Sequence, residues 1–447
     1  MSSALPRCRA MTGALVLALC LLLLSGTADR AQALPIVGSL VPGEIIIKLT
    51  PNAPIKVIND SYNTRVKERF LDSANTDIYL LEITDGSSTI DKLDEIIGDH
   101  LGIIKYAQPN FFAEAPEAAR RHRAFPTNDA VPTDDRYSQD PYAASALNLS
   151  SAHAISKGAG TTVAVVDTGA QLGHPALKEN FNGVARYDFV DDDNNPSEPG
   201  FASDEDSRNN EVVGHGTHVA GIVDLVAPKA MIMPLRVLDR EGYGTSFHIA
   251  EAISFADSNG ADVINLSLGM PDPTLLGLLP PKLLREKVLE ATRHGTVVVA
   301  AAGNYSNPVP TYPAARGTTA DDSRPQASDG LLAVTSVNRE ERKSDFANWG
   351  SWVDIAAPGE NILSTYPVSS YAYWSGTSMA TPFVSGEAAL IRDVNCSLDA
   401  AGVEVQIRRS ARSLVGKDIK YGTMMGAGHT DVGASLEQLE PSSCLLN

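Results

Sequence analysis

Three short stretches of the sequence combine residue types that together can activate a nucleophile. Asp167 lies in VAVVDTG, where an apolar run ends and a glycine turn follows; His215 lies in GHGTHVAG, and Ser378 lies in GTSMATP. A serine hydroxyl is a weak nucleophile until a neighbouring base takes its proton. A histidine can be that base near neutral pH, and a carboxylate can fix its tautomer and stabilise its protonated form. We therefore predict that these three residues act together in acyl transfer.

Each stretch by itself has a simpler interpretation. Asp167 could be a turn residue at a strand end, and Ser378 could cap a helix. His215 and His218 could bind a metal from one helix, but the glutamate and the spacing of a zinc-protease motif are missing. Because all of these interpretations would have to hold at once, we keep the catalytic one.

Backbone groups near two of these residues can also contribute to catalysis. His215 and Ser378 both precede helical sequence, so each should stand at a helix N-terminus. The Ser378 N–H is then free to donate a hydrogen bond to a developing oxyanion.

Apolar runs that alternate with helical patterns predict the scaffold that positions these residues. The runs are continuous, as in strands covered on both faces, and helical spacing lies between them at 249–258 and 283–294. This order predicts a doubly wound α/β domain with a mainly parallel sheet, whose active site lies at the carboxyl ends of the strands. The runs are 162–166, 231–238, 263–268, 297–301 and 331–337.

The region 37–113 has its own pattern and predicts a small α+β domain. Strands are expected at 44–49, 77–83 and 103–107, and helices near 64–72 and at 88–100. The following segment, 114–136, has prolines, a basic cluster and no apolar periodicity, so it is predicted to be a linker open to proteolysis.

The first 33 residues have the pattern of a signal peptide. Arg7 and Arg9 precede the apolar run 14–24, and the small residues of Ala-Gln-Ala at 31–33 suit a cleavage point. An uncleaved anchor is the alternative, although the run is short for a membrane span. We expect a secreted or periplasmic protein with no membrane contact once the signal is removed.

The cysteines allow one disulfide in an exported chain. Of four cysteines, Cys8 and Cys20 lie in the signal region, so an exported chain keeps Cys396 and Cys444. They could remain free thiols or form a disulfide, which would close a loop of about 49 residues and stabilise the fold by up to about 4 kcal/mol.

The formal net charge of −18 disfavours nucleic acid as a partner of this protein, and we expect a monomer.

The three stretches resemble the signatures of the subtilisin-like serine proteases and follow one another in that family's order of Asp, His and Ser. The resemblance extends from about Tyr137 to Ala434. It implies a peptidase domain at 137–435 with a C-terminal tail at 436–447. It also implies that Asn304, in AAAGN, donates a hydrogen bond to the oxyanion.

The resemblance extends to the N-terminal region, which is similar to the inhibitor prodomains of this family. Such a domain assists folding, blocks the cleft with its tail (here 106–114) and is removed by the enzyme itself, here within the linker 114–136. The prodomain would thus be the intramolecular partner of the peptidase. An unrelated α+β domain is the alternative.

Family members bind an extended peptide substrate between two backbone edges by strand addition. The stretch that matches the first of these edges, residues 242–244, could also be ordinary turn sequence. Because the matching pocket residues are uncharged, the resemblance implies a preference for a neutral or apolar side chain before the cut bond. The residues that match are Gly242, Tyr243 and Gly244 for one edge, Ser267, Leu268 and Gly269 for the other, Ala302 and Gly303 for the pocket wall, and Thr311 for its floor.

Calcium is where the sequence departs from the family. The strong site uses an aspartate where this chain has Ala176, and the loop expected after 221–225 is missing, so we predict that this site is absent. Asp188, Asp191 and Asp193 match in spacing a calcium site of thermitase-like members. A solvated acidic loop is the alternative. The chemistry itself requires no cofactor.

Taken together, the resemblance implies a secreted serine endopeptidase of broad specificity, made as a self-cleaving zymogen. A dedicated processing protease with one partner substrate is an alternative, and so is an inactive binding protein that keeps the fold.

Overall fold

The computed structural model describes residues 38–118 except 74 and 100, 125–127, 141–198, and 212–442 except 277, 279 and 316–327. The predicted signal peptide, most of the predicted linker and Cys444 lie outside the described residues. Within these ranges, no helix combines the length and the apolar character needed to span a bilayer.

The strands and helices that the sequence predicts between residues 162 and 337 are all present, together with further strands. The strands are β1 (Leu40–Leu49), β2 (Thr64–Leu71), β3 (Asp77–Ile83), β4 (Ile104–Glu114), β5 (Phe125–Thr127), β6 (Thr162–Asp167), β7 (Tyr187–Asp188), β8 (Met231–Arg236), β9 (Tyr243–Thr245), β10 (Val263–Leu266), β11 (Met270–Pro271), β12 (Val297–Ala301), β13 (Thr311–Tyr312), β14 (Leu331–Val337), β15 (Ile355–Pro358), β16 (Ile362–Tyr366) and β17 (Ser370–Trp374). The helices are α1 (Ile55–Tyr62), α2 (Thr89–Gly98), α3 (Pro141–Ala146), α4 (Leu149–Ile155), α5 (His215–Val226), α6 (Ser246–Ser258), α7 (Lys282–His294), α8 (Thr377–Val394), α9 (Ala400–Ser410) and α10 (Val432–Glu437), with a 3₁₀ turn at Pro273–Leu276.

A seven-stranded sheet in the order β15-β14-β12-β10-β6-β8-β7 forms the centre of the larger part. All of its strand pairs are parallel. Successive side chains of a strand point to opposite faces, and every residue of β10, β12 and β14 is buried, so both faces are covered. Helices α5 and α8 pack against each other, as do α6 and α7. This architecture confirms the predicted doubly wound α/β class.

The N-terminal part is an antiparallel sheet in the order β2-β3-β1-β4 with two helices. Strand alternation divides its apolar residues between two cores. Ile45 and Ile47 join a small core with residues of α1 and α2, whereas Ile46 belongs to the main core. The predicted helix at 88–100 is confirmed as α2, and the Ser88 hydroxyl accepts a hydrogen bond from the Asp91 N–H at its start.

The prediction of a helix near residues 64–72 is wrong, because residues 64–71 form strand β2. The helix, α1, comes earlier and ends at Tyr62, and the next residue, Asn63, has a φ of 50° in the left-handed region. After that turn, Arg65, Lys67 and Arg69 alternate outward into solvent while the chain pairs with β3. Tertiary pairing with β3 therefore overrides the local pattern that predicts a helix.

Strand β4 attaches the small domain to the larger one by capping two helices. The Asn110 side-chain oxygen accepts a hydrogen bond from the Phe247 N–H at 3.1 Å, in the first turn of α6. The Gln108 side-chain oxygen accepts one from the Leu283 N–H at 2.9 Å, in the first turn of α7. These N–H groups have no partner within their own helix, so the small domain satisfies donors that would otherwise need water.

Candidate active site

The three residues predicted to activate a nucleophile lie together at the carboxyl ends of the parallel strands. Asp167 is the last residue of β6, His215 the first of α5, and Ser378 the second of α8. His215 Nδ1 is 2.7 Å from Asp167 Oδ1. All three side chains are fully buried, and the Trp374 ring stands edge-on to the imidazole of His215 with the ring centres 5.3 Å apart.

The carboxylate of Glu117 lies between the histidine and the serine. Its Oε2 is 3.0 Å from His215 Nε2 and accepts a hydrogen bond from Ser378 Oγ at 2.7 Å. Its Oε1 accepts one from Asn304 Nδ2 at 2.9 Å. A Cβ on Gly376 would stand 1.6 Å from this oxygen, so the carboxylate can take this position only beside a glycine. One side chain thus contacts both groups of the proton transfer and the predicted oxyanion donor.

The Asn304 side chain is held so that its amide points at this position. Its Oδ1 accepts hydrogen bonds from the Thr377 N–H at 3.0 Å and from Thr377 Oγ1 at 2.9 Å. Because the carbonyl oxygen is occupied in this way, the Nδ2 donor faces Glu117. A donor fixed before charge develops is what oxyanion stabilisation requires.

Glu117 and His215 form a buried ion pair. Burial by itself would lower the pKa of His215, but the charges and hydrogen bonds of Asp167 and Glu117 outweigh it and raise that pKa to about 10. Burial would raise the pKa of Glu117, but hydrogen bonds from His215, Ser378 and Asn304, with the His215 charge, lower it instead. The pair is therefore charged at neutral pH.

The segment before Glu117 occupies the cleft as an additional strand. Residues Phe112–Glu114 pair antiparallel with β9, and Glu114 exchanges two backbone hydrogen bonds with Gly269, of 3.0 and 2.9 Å. The Ala115 N–H then donates to the Gly242 oxygen at 2.8 Å. Both edges predicted to receive substrate, 242–244 and 267–269, thus contact the tail of the chain's own N-terminal domain.

Comparison with known proteins identifies the family. The profile described as the subtilase family, Peptidase_S8, matches residues 158–428, more than half of the chain.

The chain belongs to the subtilase family.

Its relatives are named peptidases. It is 38% identical to thermitase of Thermoactinomyces vulgaris over 296 residues, 64% of this chain and 93% of thermitase. It is 36% identical to subtilisin BL of Lederbergia lenta over 275 residues, 60% of this chain and 88% of subtilisin BL. The crystal structure of fervidolysin from Fervidobacterium pennivorans shares the fold, with a TM-score of 0.71 at 23% identity over 91% of this chain and 64% of fervidolysin. The predicted family is confirmed, and this subtilase is a serine-type peptidase.

The residues predicted for the first specificity pocket are contiguous in this subtilase. Thr311 Oγ1 donates to the Ala302 oxygen at 3.0 Å, and Asn348 Nδ2 donates to the same oxygen at 2.9 Å. Gly303 has a φ of 96°, and a Cβ there would come within 2.9 Å of Asn348 Nδ2. Sequence reasoning missed Asn348, which is uncharged like the predicted members of the pocket.

The acidic loop predicted as a calcium site is organised around an arginine. Arg236 Nη1, at the end of β8, is 2.7 Å from Asp188 Oδ2 and 2.5 Å from Asp191 Oδ2. Asp193 contributes backbone hydrogen bonds to Asp188. No set of three or more His, Cys, Asp or Glu side chains is placed to hold a metal ion in the part of the chain that the structure describes. The three aspartates do not fit calcium here, because a guanidinium already satisfies two of them.

The last predicted feature is the disulfide between Cys396 and Cys444. Cys396 is disulfide-bonded. Cys444 lies outside the described residues, so the pairing of these two cysteines stays a prediction.

Proposed function

We propose that this subtilase is an exported serine endopeptidase, made as a precursor whose N-terminal domain blocks the active site until it is cut away. One observation carries the proposal: the end of β4 lies as a strand between the two backbone edges, and Glu117, just beyond it in the predicted linker, contacts Ser378, His215 and Asn304. A site that binds an extended chain by strand addition and presents a nucleophile at its end is organised for peptide-bond cleavage.

The proposed reaction is acyl transfer to water. Ser378 Oγ attacks the peptide carbonyl while His215 Nε2 takes its proton, and the protonated imidazole then gives that proton to the leaving amine. Asp167 holds Nδ1 of the imidazole and stabilises its charge. A water molecule, deprotonated by His215 in turn, hydrolyses the acyl-enzyme and releases Ser378.

The oxyanion would accept hydrogen bonds from Asn304 Nδ2 and the Ser378 N–H. Glu117 supports this assignment, because its Oε1 already takes the Asn304 donor in the precursor. A negatively charged oxygen is bound where negative charge would develop in the transition state.

The same geometry supports inhibition rather than immediate cleavage. The group that the N-terminal segment places against Ser378 Oγ is the Glu117 carboxylate and not a backbone carbonyl, so this conformation holds the segment as an inhibitor. We propose that cleavage within 114–136 separates Glu117 from the peptidase domain or loosens it. The N-terminal domain would then leave as a unit, since it has a core of its own.

We propose broad specificity with a neutral or apolar residue before the cut bond. The supporting observation is the uncharged character of Ala302, Gly303, Thr311 and Asn348, which contact one another. Profiling with a peptide library would overturn this part if hydrolysis strictly required Arg or Lys, because such a requirement needs a carboxylate in the pocket.

The decisive experiment compares the exported wild type with Ser378→Ala. N-terminal sequencing should place the wild-type start within 114–136, and an organophosphonate probe should label its Ser378. The Ser378→Ala chain should stay joined to residues 37–113 in a host lacking other proteases, and a shortened product there would refute self-cleavage. Ser375→Ala is a matched control that should be processed normally, since this hydroxyl accepts a hydrogen bond from the Asn361 N–H and lies outside the proposed mechanism.

A further inference from the structure

Glu198 contacts the elements that carry the proposed catalytic residues without contacting those residues itself. Its Oε1 accepts hydrogen bonds from Thr168 Oγ1 at 2.9 Å and from the Thr217 N–H at 3.2 Å. Its Oε2 accepts one from the Gly214 N–H at 3.0 Å. Thr168 directly follows Asp167, while Gly214 and Thr217 lie on either side of His215. One carboxylate therefore joins the end of β6 to the first turn of α5.

A second connection runs through the same threonine. Thr168 Oγ1 donates to Glu198 and accepts a hydrogen bond from the Gly216 N–H at 3.0 Å. The loop that carries Glu198 is itself attached to the strand end, because the Ala170 N–H donates to the Pro196 oxygen at 2.9 Å and the Glu198 N–H donates to the Ala170 oxygen at 3.2 Å. The end of β6 and the first turn of α5 therefore cannot shift relative to each other without breaking several hydrogen bonds.

Helix α5 lacks a capping side chain of its own. Its N-cap is Gly214, with a φ of 92° and no side-chain hydrogen bond at the cap. The first N–H groups of a helix need acceptors, and a negative charge there is favoured by the helix dipole. Glu198 supplies the acceptor oxygens, although it precedes the cap by 16 positions.

The position of α5 matters because the contact between His215 and Asp167 is short and depends on direction. Asp167 Oδ1 accepts from His215 Nδ1 at 2.7 Å and also from the Thr168 N–H at 2.7 Å. A shift of the first turn of α5 relative to β6 would lengthen the bond from His215 directly. Small displacements of this kind in an active site can lower rates strongly.

We propose that Glu198 is a positioning residue for peptide-bond cleavage, which fixes His215 against Asp167 through Thr168 and the first turn of α5. This inference rests on the proposed function. Burial raises the pKa of Glu198 to about 7, although hydrogen bonds from Gly214 and Thr168 lower it. The geometry carries the argument, since the carboxylate accepts hydrogen bonds from Thr168 Oγ1 and from the N–H groups of Thr217 and Gly214.

The test uses the full chain, allowed to mature, with Glu198→Gln and Glu198→Ala. Glutamine keeps one acceptor oxygen but turns an amide donor toward backbone N–H groups. We expect kcat per active site to fall about 10-fold for Glu198→Gln and about 100-fold for Glu198→Ala, with KM within about twofold of wild type. Active sites are counted by organophosphonate titration, so that misfolded molecules do not enter the rate.

The pH profile of kcat/KM separates positioning from a purely structural role. A weaker bond to Asp167 lowers the pKa of His215, so the acid limb should move to lower pH in Glu198→Gln. The matched control is Asp192→Asn, which removes an exposed charge from the same loop and keeps the oxygen that accepts from Tyr187. A variant with fewer active sites but normal kcat and an unmoved acid limb would overturn the proposal.

A second measurement does not depend on activity. In the full-length Ser378→Ala chain, the proton on His215 Nδ1 should give a low-field NMR signal that moves upfield when Glu198→Gln is added and does not move with Asp192→Asn. An unmoved signal would contradict the positioning role. Failure of the wild type to react with the organophosphonate would refute the proposed function alone. The low-field signal of His215 would still test whether Glu198 positions the imidazole.

Discussion

The proposed catalytic centre and the acidic loop each enclose a charged group supplied from elsewhere in the chain. In the catalytic centre Glu117 contacts His215, Ser378 and Asn304, and in the acidic loop Arg236 joins Asp188 to Asp191. The groups differ in what holds them. Glu117 lies three residues beyond strand β4 of the N-terminal domain, whereas Arg236 ends a strand paired on both sides within the parallel sheet.

We propose that this difference separates a removable ligand from a permanent one. Cutting one peptide bond near Glu117 leaves every strand of the large sheet intact, so the catalytic centre can be freed. Arg236 cannot be removed by a single cut of this kind, because β8 is paired with β6 and β7, so the acidic loop keeps its cation. In both regions a buried charge is paired with a charge of opposite sign. We propose that cleavage separates the pair in the active site, whereas the pair in the acidic loop stays in place.

The largest expected effect is that of removing the permanent cation. Arg236→Met leaves the carboxylate of Asp188, which is 1% exposed, without its charged partner. Breaking a buried ion pair in this way should lower the free energy of unfolding by about 3–5 kcal/mol. Thermal unfolding of the Ser378→Ala chain measures it, with the exposed Lys178→Met as control. A loss no larger than that of the control would show that the loop does not depend on Arg236.

The next largest effect is expected from removing Asn304 Nδ2, which donates to Glu117 in the precursor and would donate to the oxyanion in the transition state. Asn304→Ala should lower kcat by about 10²–10³-fold with little change in KM, because the oxyanion loses one of its two donors. Steady-state kinetics with a chromogenic peptide measure both constants. An equal rise in KM with unchanged kcat would mean that Asn304 binds substrate and does not stabilise the oxyanion.

A smaller effect is expected from neutralising the removable ligand. Glu117→Gln should make Ser378 of the uncut chain react about 10–100-fold faster with an organophosphonate, since hydrogen bonds to a charged group are lost. Glu114→Gln is the matched control in the same tail. Burial raises the pKa of Glu114 to about 7, although its bond from Tyr305 lowers it, so a neutral amide there changes less. Equal reactivity of Glu117→Gln and wild type would contradict a blocking role.

The ion pair of Glu117 also has a defined pH dependence. A lowered carboxyl pKa stabilises above the unfolded value of about 4.5, and this contribution is lost as the pH falls through the folded pKa. The raised pKa of His215 stabilises fully below about 6.5, and this contribution is lost as the pH rises toward about 10. In the Ser378→Ala background, the loss in thermal midpoint caused by Glu117→Gln should therefore be larger at pH 6 than at pH 10. An equal loss at both values would refute the ion pair.

The smallest expected effect is that of calcium on the wild-type chain. Because Arg236 satisfies Asp188 and Asp191, excess calcium or a chelator should move the thermal midpoint of the wild type by less than about 1 °C, the shift expected for negligible binding. In Arg236→Met the freed carboxylates should make the midpoint rise with calcium. A strong calcium dependence of the wild type would show that the metal binds beside the arginine or displaces it.

The sequence by itself determined the scaffold and the local motifs. Continuous apolar runs specify buried parallel strands, and the motifs around Asp167, His215 and Ser378 fall at the strand end and at the two helix starts where they are expected. These features depend on neighbours within a few residues, and such short-range patterns are visible in one dimension.

Only the tertiary structure decided which distant groups meet. Residues 64–71 became a strand through pairing with β3, against a local pattern that had favoured a helix. Glu117 contacts groups 98 and 261 positions further along the chain, and Arg236 meets an aspartate 48 positions earlier. The reason is physical: a buried charge needs a partner of opposite sign, but folding alone determines which segment supplies it.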